Sequence, residues 1–189
     1  HLIDAVATAL AWALAATCLA GMLAAPLLVL LLASGLDAAS FEAAARMTRW
    51  MFPYIGCMSL VALSAGILNT WKRFAVPAVT PVLLNLCMIA AAWLGAPLFA
   101  RLGLEPIYAM AAVMLGGALQ LAVQVPALRR LGLLPRIALS WQRLRAAWAD
   151  AGVRQVLSLM LPALLGVGVA QLSLLINTQI ASHLAKGSV

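Results

Sequence analysis

Five long stretches of this chain contain no Asp, Glu, Lys or Arg: Ala5 to Leu36, Trp50 to Trp71, Phe74 to Ala100, Pro106 to Leu128 and Gln155 to Ala185. The shortest holds 22 residues, and about 20 apolar residues in a helix already cross the hydrocarbon core of a bilayer. No water is present there to satisfy the backbone, so only helices and closed barrels span it. The runs lack the alternation of a barrel strand. The expected fold is an all-α polytopic membrane protein with five transmembrane helices.

Composition agrees: only 9% of residues are charged, against roughly 25% in soluble domains. The formal net charge is +7, and six of the twelve basic residues fall between Arg129 and Arg154. A basic stretch set between two apolar spans points to anionic lipid headgroups as partner and away from nucleic acid. The three cysteines (Cys18, Cys57, Cys87) lie one to a span, an arrangement that favours small packed residues over a disulfide framework. The chain begins at His1 without a methionine or signal peptide and ends at Gly187-Ser188-Val189 directly after a span, which reads as an excerpt of a longer protein.

Loop charges set the orientation. Asp37, Glu42, Arg46 and Arg49 between the first two spans cancel, as do Arg101 and Glu105 between the third and fourth. The Lys72-Arg73 turn and the Arg129–Arg154 linker are basic. Basic and neutral loops alternate, so the positive-inside rule places the two basic ones in the cytoplasm. Trp50 and Trp71 lie 21 residues apart, about 31 Å of helix, which suits one tryptophan at each interface.

Within the linker, Ser140 is a plausible N-cap, and Trp141, Leu144, Trp148 and Ala151 recur at helical spacing. Gln142, Arg143, Arg145, Asp150 and Arg154 fill the other directions. The pattern predicts an amphipathic helix in the inner headgroup layer, with Trp141 and Trp148 down and Arg143 and Arg145 toward phosphate. The competing reading is a solvated helix packed on a soluble partner.

The spans carry unusual residues. Ala5, Ala9, Ala13, Ala16, Ala20 and Ala24 form a small-residue stripe in the first, which permits close packing. The third carries Pro77 and Pro81, with Asn85 one turn later; Pro81 should kink the helix and free the carbonyl of Pro77. The fourth has Gly116, Gly117, Gln120 and Gln124. In the fifth, Pro162, Gly166, Ala170, Ser173 and Asn177 make a small or polar line, with Gln171, Thr178 and Ser182 beside it. Such amides and hydroxyls act as interhelical glue, or, together with prolines and glycines in three helices, mark helices bent around a hydrated cavity as in transporters.

Catalytic chemistry finds no support. No span contains an ionisable group other than His183, and a proton relay or ion-coupling carboxylate would be the first sign of a coupled pump. The sequence has no HExxH, P-loop, GxSxG elbow or paired-carboxylate site. His1 and His183 are too isolated to argue a metal site, and no cofactor is implied.

Phe52-Pro53, Gly66-Ile67-Leu68-Asn69-Thr70, Phe74-Ala75-Val76-Pro77-Ala78, Pro81 and Leu84-Asn85 together resemble the MurJ (MviN) family of lipid II flippases. So do Leu161-Pro162-Ala163-Leu164, Gln171, Asn177-Thr178, Ile180-Ala181-Ser182 and Gly187-Ser188. The resemblance runs from about Phe52 to Val189 and implies an excerpt of a two-lobe, fourteen-helix flippase in the bacterial inner membrane. Residues 1–128 would complete the N-terminal lobe, 129–154 would join the lobes, and 155–189 would open the C-terminal lobe. The five spans would then be the third to seventh helices. The implied activity is transfer of lipid II to the outer leaflet by alternating access, which requires the rest of the chain. Arginines that bind pyrophosphate in the family lie on helices absent here, as does an Asp-Arg pair expected soon after Gly187-Ser188. Candidate cavity or gating residues are Asn69, Lys72, Arg73, Asn85, Gln171, Ser173 and Asn177, with Pro77, Pro81 and Pro162 as kinks. Some family members carry an aspartate associated with sodium where this chain has Asn177, so coupling is expected from a sodium ion or from membrane potential. Alternatives are a related flippase of polyprenyl-linked oligosaccharide, a drug or cation antiporter, a lipid-chemistry enzyme, and a structural membrane subunit.

Overall fold

Proline and glycine decide where the apolar runs become helices and where those helices break. The computed structural model describes residues 1–103 and 112–182; Glu105, His183 and Gly187-Ser188 lie outside the described residues. The first run divides into α1 (Leu2–Leu23) and α2 (Ala25–Leu32). Pro26 stands in the first turn of α2, where its missing N–H removes no helix bond. The single span expected over Ala5 to Leu36 is therefore corrected: α1 crosses alone, and α2 is a short separate helix.

The charged segment read as a loop between the first two spans is also helical, α3 (Ala38–Met51). Arg46 pairs with Glu42 at 3.0 Å, four residues apart on one face, a geometry that supports a helix. At Phe52 the chain enters α4 (Pro53–Thr70), again with proline in the first turn. After the Lys72-Arg73 turn come α5 (Ala75–Ala90), a π-helical turn (Ala91–Gly95) and α6 (Ala96–Arg101). Pro97 has no N–H for the carbonyl of Trp93, and the helix widens there. Last are α7 (Ala112–Arg130), α8 (Trp141–Ala149) and α9 (Ala151–Ser182). Among the described residues five helical stretches are long and apolar enough to cross a membrane, with mean hydropathy from 1.3 to 2.1.

Helix α7 is central, packed on both α4 and α5, while α1 joins α4 to α8 and α9. Adjacent glycines make this possible. A Cβ at Gly116 would lie 2.9 Å from Leu84 of α5, and one at Gly117 would lie 2.9 Å from the Cβ of Cys57 of α4. The alanine stripe of α1 is used only in part: Ala9 is buried against Ala147 and Val153, whereas Ala16 and Ala20 are exposed. Gly21 packs under the Phe52 ring instead, leaving no room for a Cβ. Cys18, Cys57 and Cys87 are free and half-buried.

The helix ends sort as the charges require. Ile67, Leu68 and Leu128 form a buried cluster with Ile3, Leu131 and Leu133. The start of α1, the Lys72-Arg73 turn and the start of the basic linker thus share one end of the bundle. At the other end, Arg49 Nε–H donates to the Met22 carbonyl at 3.2 Å, and Gln179 Nε2–H donates to Ser34 Oγ at 2.5 Å.

Candidate functional site

The candidate cavity residues lie on open faces. Asn69, Lys72, Arg73 and Asn85 are exposed, as are Gln171, Ser173 and Asn177 on α9. Pro81 and Pro162 sit inside α5 and α9, and Pro77 is half-buried. Among the described residues, the apolar 18-residue core of α9 has none that is buried. Helix α9 packs on α1, α2 and α8, whereas Asn85 rides on α5, which packs on α7 and α4. The structure therefore keeps the α9 group apart from Asn69 and Asn85.

Pro81 does leave the Pro77 carbonyl without its helical donor, and Thr80 Oγ1–H fills the gap at 2.7 Å. Thr80 is 4% exposed, and its own carbonyl accepts Gln120 Nε2–H at 2.7 Å across to α7. This is interhelical glue at a proline site. Below it Gln124 is 0% exposed, and among the described residues neither of its amide atoms has a partner; Gln120 Oε1 and the Tyr54 hydroxyl are likewise buried and unpaired there. The sequence reads Gln120 and Gln124 as two amides a turn apart that serve as glue or mark a cavity, and Gln120, donating to Thr80, takes the first of these roles. The informative signal was their position: seven residues separate Gln124 from Gly117, so both lie on the α4-facing side of α7.

A second polar device holds the linker. Asp4, Thr8 and Trp12 are spaced four residues apart on α1, so their side chains form one stripe. Arg136 N–H donates to Asp4 Oδ1 at 2.8 Å, and Ala138 N–H donates to Thr8 Oγ1 at 3.2 Å. Trp12 Nε1–H donates to the Ala138 carbonyl at 3.0 Å. Non-helical backbone near membrane depth must be satisfied by protein groups, and here a helix stripe supplies them.

The extended segment leads into α8. Ser140 does occupy the N-cap position, without a capping side-chain bond. Leu144 and Ala147 are the buried face of α8, 6% and 5% exposed, while Trp141 and Trp148 lie exposed on one flank. Ala151, expected to continue that face, belongs instead to α9. Trp148 borders an apolar groove of about 370 Å³ lined also by Val6, Ala13, Leu63, Leu157 and Met160. Arg143 and Arg145 are exposed. At the far end of α8, Asp150 Oδ1 accepts Gly152 N–H at 2.8 Å and Val153 N–H at 3.3 Å, capping α9.

Apolar helices of membrane-crossing length, broken by proline and joined by a basic linker, define a polytopic helical membrane protein. Comparison of the sequence gives the particular family. The profile of the family described as "Lipid II flippase MurJ" matches residues 1–189, and the chain belongs to that family. It is 48% identical over its whole length to the "Lipid II flippase MurJ" of Burkholderia cenocepacia, of which it covers 36%. It is 42% identical, over 82% of its length, to the "Probable lipid II flippase MurJ" of Haemophilus influenzae, of which it covers 28%. A Vibrio cholerae relative of the same description is 40% identical over 82% of the chain. The chain thus spans about a third of the length of these relatives.

Proposed function

We propose that this chain is part of a flippase that carries lipid II from the cytoplasmic to the outer leaflet of the bacterial inner membrane by alternating access. The reading rests on one observation: the 48% identity, over the whole chain and so across all five candidate spans, to a relative named for that activity. The uncovered polar line of α9 supports it, since exposed amides against lipid would be left unpaired. Such a face is suited to a cavity or to the rest of the protein. The role is that of a carrier and not a catalyst, with lipid II and the surrounding bilayer as partners.

Residues 1–128 serve as the remainder of the first lobe, 129–154 as the joining segment and 155–189 as the start of the second lobe. Asn177 offers a cation one neutral amide oxygen, and no group of three His, Cys, Asp or Glu converges among the described residues. Membrane potential, worth about 2.3 kcal/mol per charge per 100 mV, is therefore favoured over a sodium ion at this position. The test is replacement of the flippase in cells by the full-length protein and by residues 1–189 alone. Outward appearance of lipid II is read by cleavage with a membrane-impermeant hydrolase. Full-length protein restores cleavage and growth, and the fragment inserts without restoring either; restoration by the fragment would overturn the assignment of function to the complete two-lobe chain.

A further inference from the structure

A cavity of about 420 Å³ lies between the first turns of α1, the extended linker and α8, and Asp4, Thr8, Arg136, Arg143 and Asp150 line it. Its volume is in the range of small-molecule sites. Among the described residues neither guanidinium pairs with either carboxylate. Asp4 uses Oδ1 on the Arg136 N–H, and Asp150 uses Oδ1 on the start of α9. Each Asp thus keeps its second oxygen, and each Arg keeps its guanidinium.

Two charges of each sign without a protein partner in one cavity call for a ligand that carries both: Asp4 and Asp150 are half-buried, where an unmatched charge is costly, and Arg136 and Arg143 are exposed. The cavity sits at the basic end of the bundle, on the outermost turns of α1, which is headgroup depth. We propose that it binds the zwitterionic headgroup of an inner-leaflet aminophospholipid, with phosphate on Arg136 and Arg143 and the primary ammonium on Asp4 and Asp150. Guanidinium forks match phosphate oxygens, and an ammonium donates charge-assisted bonds to carboxylates. A choline headgroup fits less well: it has no N–H to donate, and quaternary ammonium groups are held by Trp, Tyr or Phe faces, whereas the only ring among the described lining residues is the His1 imidazole. A purely anionic headgroup would leave both carboxylates unmatched. The lipid would fasten the linker to α1 independently of whichever substrate is transported.

The experiment uses the full-length protein in nanodiscs of equal phosphatidylethanolamine, phosphatidylcholine and phosphatidylglycerol, followed by native mass spectrometry of retained lipid. Phosphatidylethanolamine should be retained over phosphatidylcholine by about tenfold, the effect of one charge-assisted hydrogen bond. The double variant Asp4→Asn/Asp150→Asn keeps both backbone acceptors and removes both charges, and it should bring that ratio to about one. Arg143→Gln should lower retention of both lipids. Equal retention by the unaltered protein, a preference for phosphatidylglycerol, or an unchanged ratio in the double variant each overturns the proposal. None of these outcomes depends on lipid II transport.

Discussion

Two adjacent amides on α7 behave oppositely because of what each touches. Gln120 donates across to the Thr80 carbonyl, so Gln120→Leu should destabilise the full-length protein by about 0.6–1.7 kcal/mol, the measured range for such bonds in membranes. Gln124 is fully buried with both amide atoms unpaired. An unsatisfied buried amide costs about 1–3 kcal/mol, so Gln124→Leu should raise the thermal unfolding midpoint in detergent. A fall with Gln124→Leu would mean that bound water bridges this amide and that the helix seam is hydrated. Lys72 presents a related conflict. It closes α4 with a left-handed φ of 56°, its N–H donating to the Asn69 carbonyl and that of Arg73 to Leu68. The same closure at the end of α7 uses Gly132, with φ 69°. A side chain in that region costs about 1 kcal/mol relative to glycine. Lys72→Gly should therefore stabilise the protein by about that amount, measured by thermal unfolding. That a lysine stands there at this cost fits its use as a cytoplasmic charge.

At the scale of elements, α9 carries the riskiest expectation. Its Ser173 and Asn177 are exposed along a helix whose apolar core buries nothing against the other described helices. In the full-length protein, Asn177→Leu should slow lipid II transport severalfold while insertion and abundance stay near normal, since leucine is tolerated anywhere in a bilayer. Asn177→Asp should be tolerated. Impermeant-hydrolase cleavage of lipid II, normalised to protein level, reads both; normal transport by Asn177→Leu would make this face a bystander. The linker was legible as an amphipathic helix because Trp141, Leu144 and Trp148 recur at helical spacing. What periodicity could not reveal is the extended segment before it. Asp4, Thr8 and Trp12 hold Arg136 and Ala138 from more than 120 residues away in sequence, and pattern arguments see only local spacing. The break at Ala24 was missed for another reason, since a proline in a first turn is silent in hydropathy yet starts a new helix, and α3 was missed because its charges read as a loop.

For the whole molecule, loop charge and packing sort the helix ends into the same two groups by independent routes. The rule of basic cytoplasmic loops needs only the positions of Lys72, Arg73 and the six arginines from Arg129 to Arg154. Packing, which ignores charge, gathers Ile3, Ile67, Leu68 and Leu128 at that same end. It sends Arg49 and Met22, and Ser34 and Gln179, to the other. Five crossings were legible because length and apolarity alone require them. The arrangement of candidate cavity residues was not, because α9 packs on α1, α2 and α8 while Asn85 rides on α5, a division that local spacing does not reveal. The orientation can be tested without any transport assay. Single cysteines at Ala39, Arg101 or Arg143 would be placed in full-length protein whose native cysteines are replaced, each native one being half-buried and free. Ala39 lies at the start of α3 and Arg101 at the end of α6, both expected from loop charge on the outer side, whereas Arg143 lies on α8 among the basic residues. An impermeant maleimide added to intact spheroplasts should modify positions 39 and 101 and spare 143, and permeabilisation should expose 143. Labelling of position 143 in sealed cells would invert the bundle, and with it the assignment of the aminophospholipid cavity to the inner leaflet.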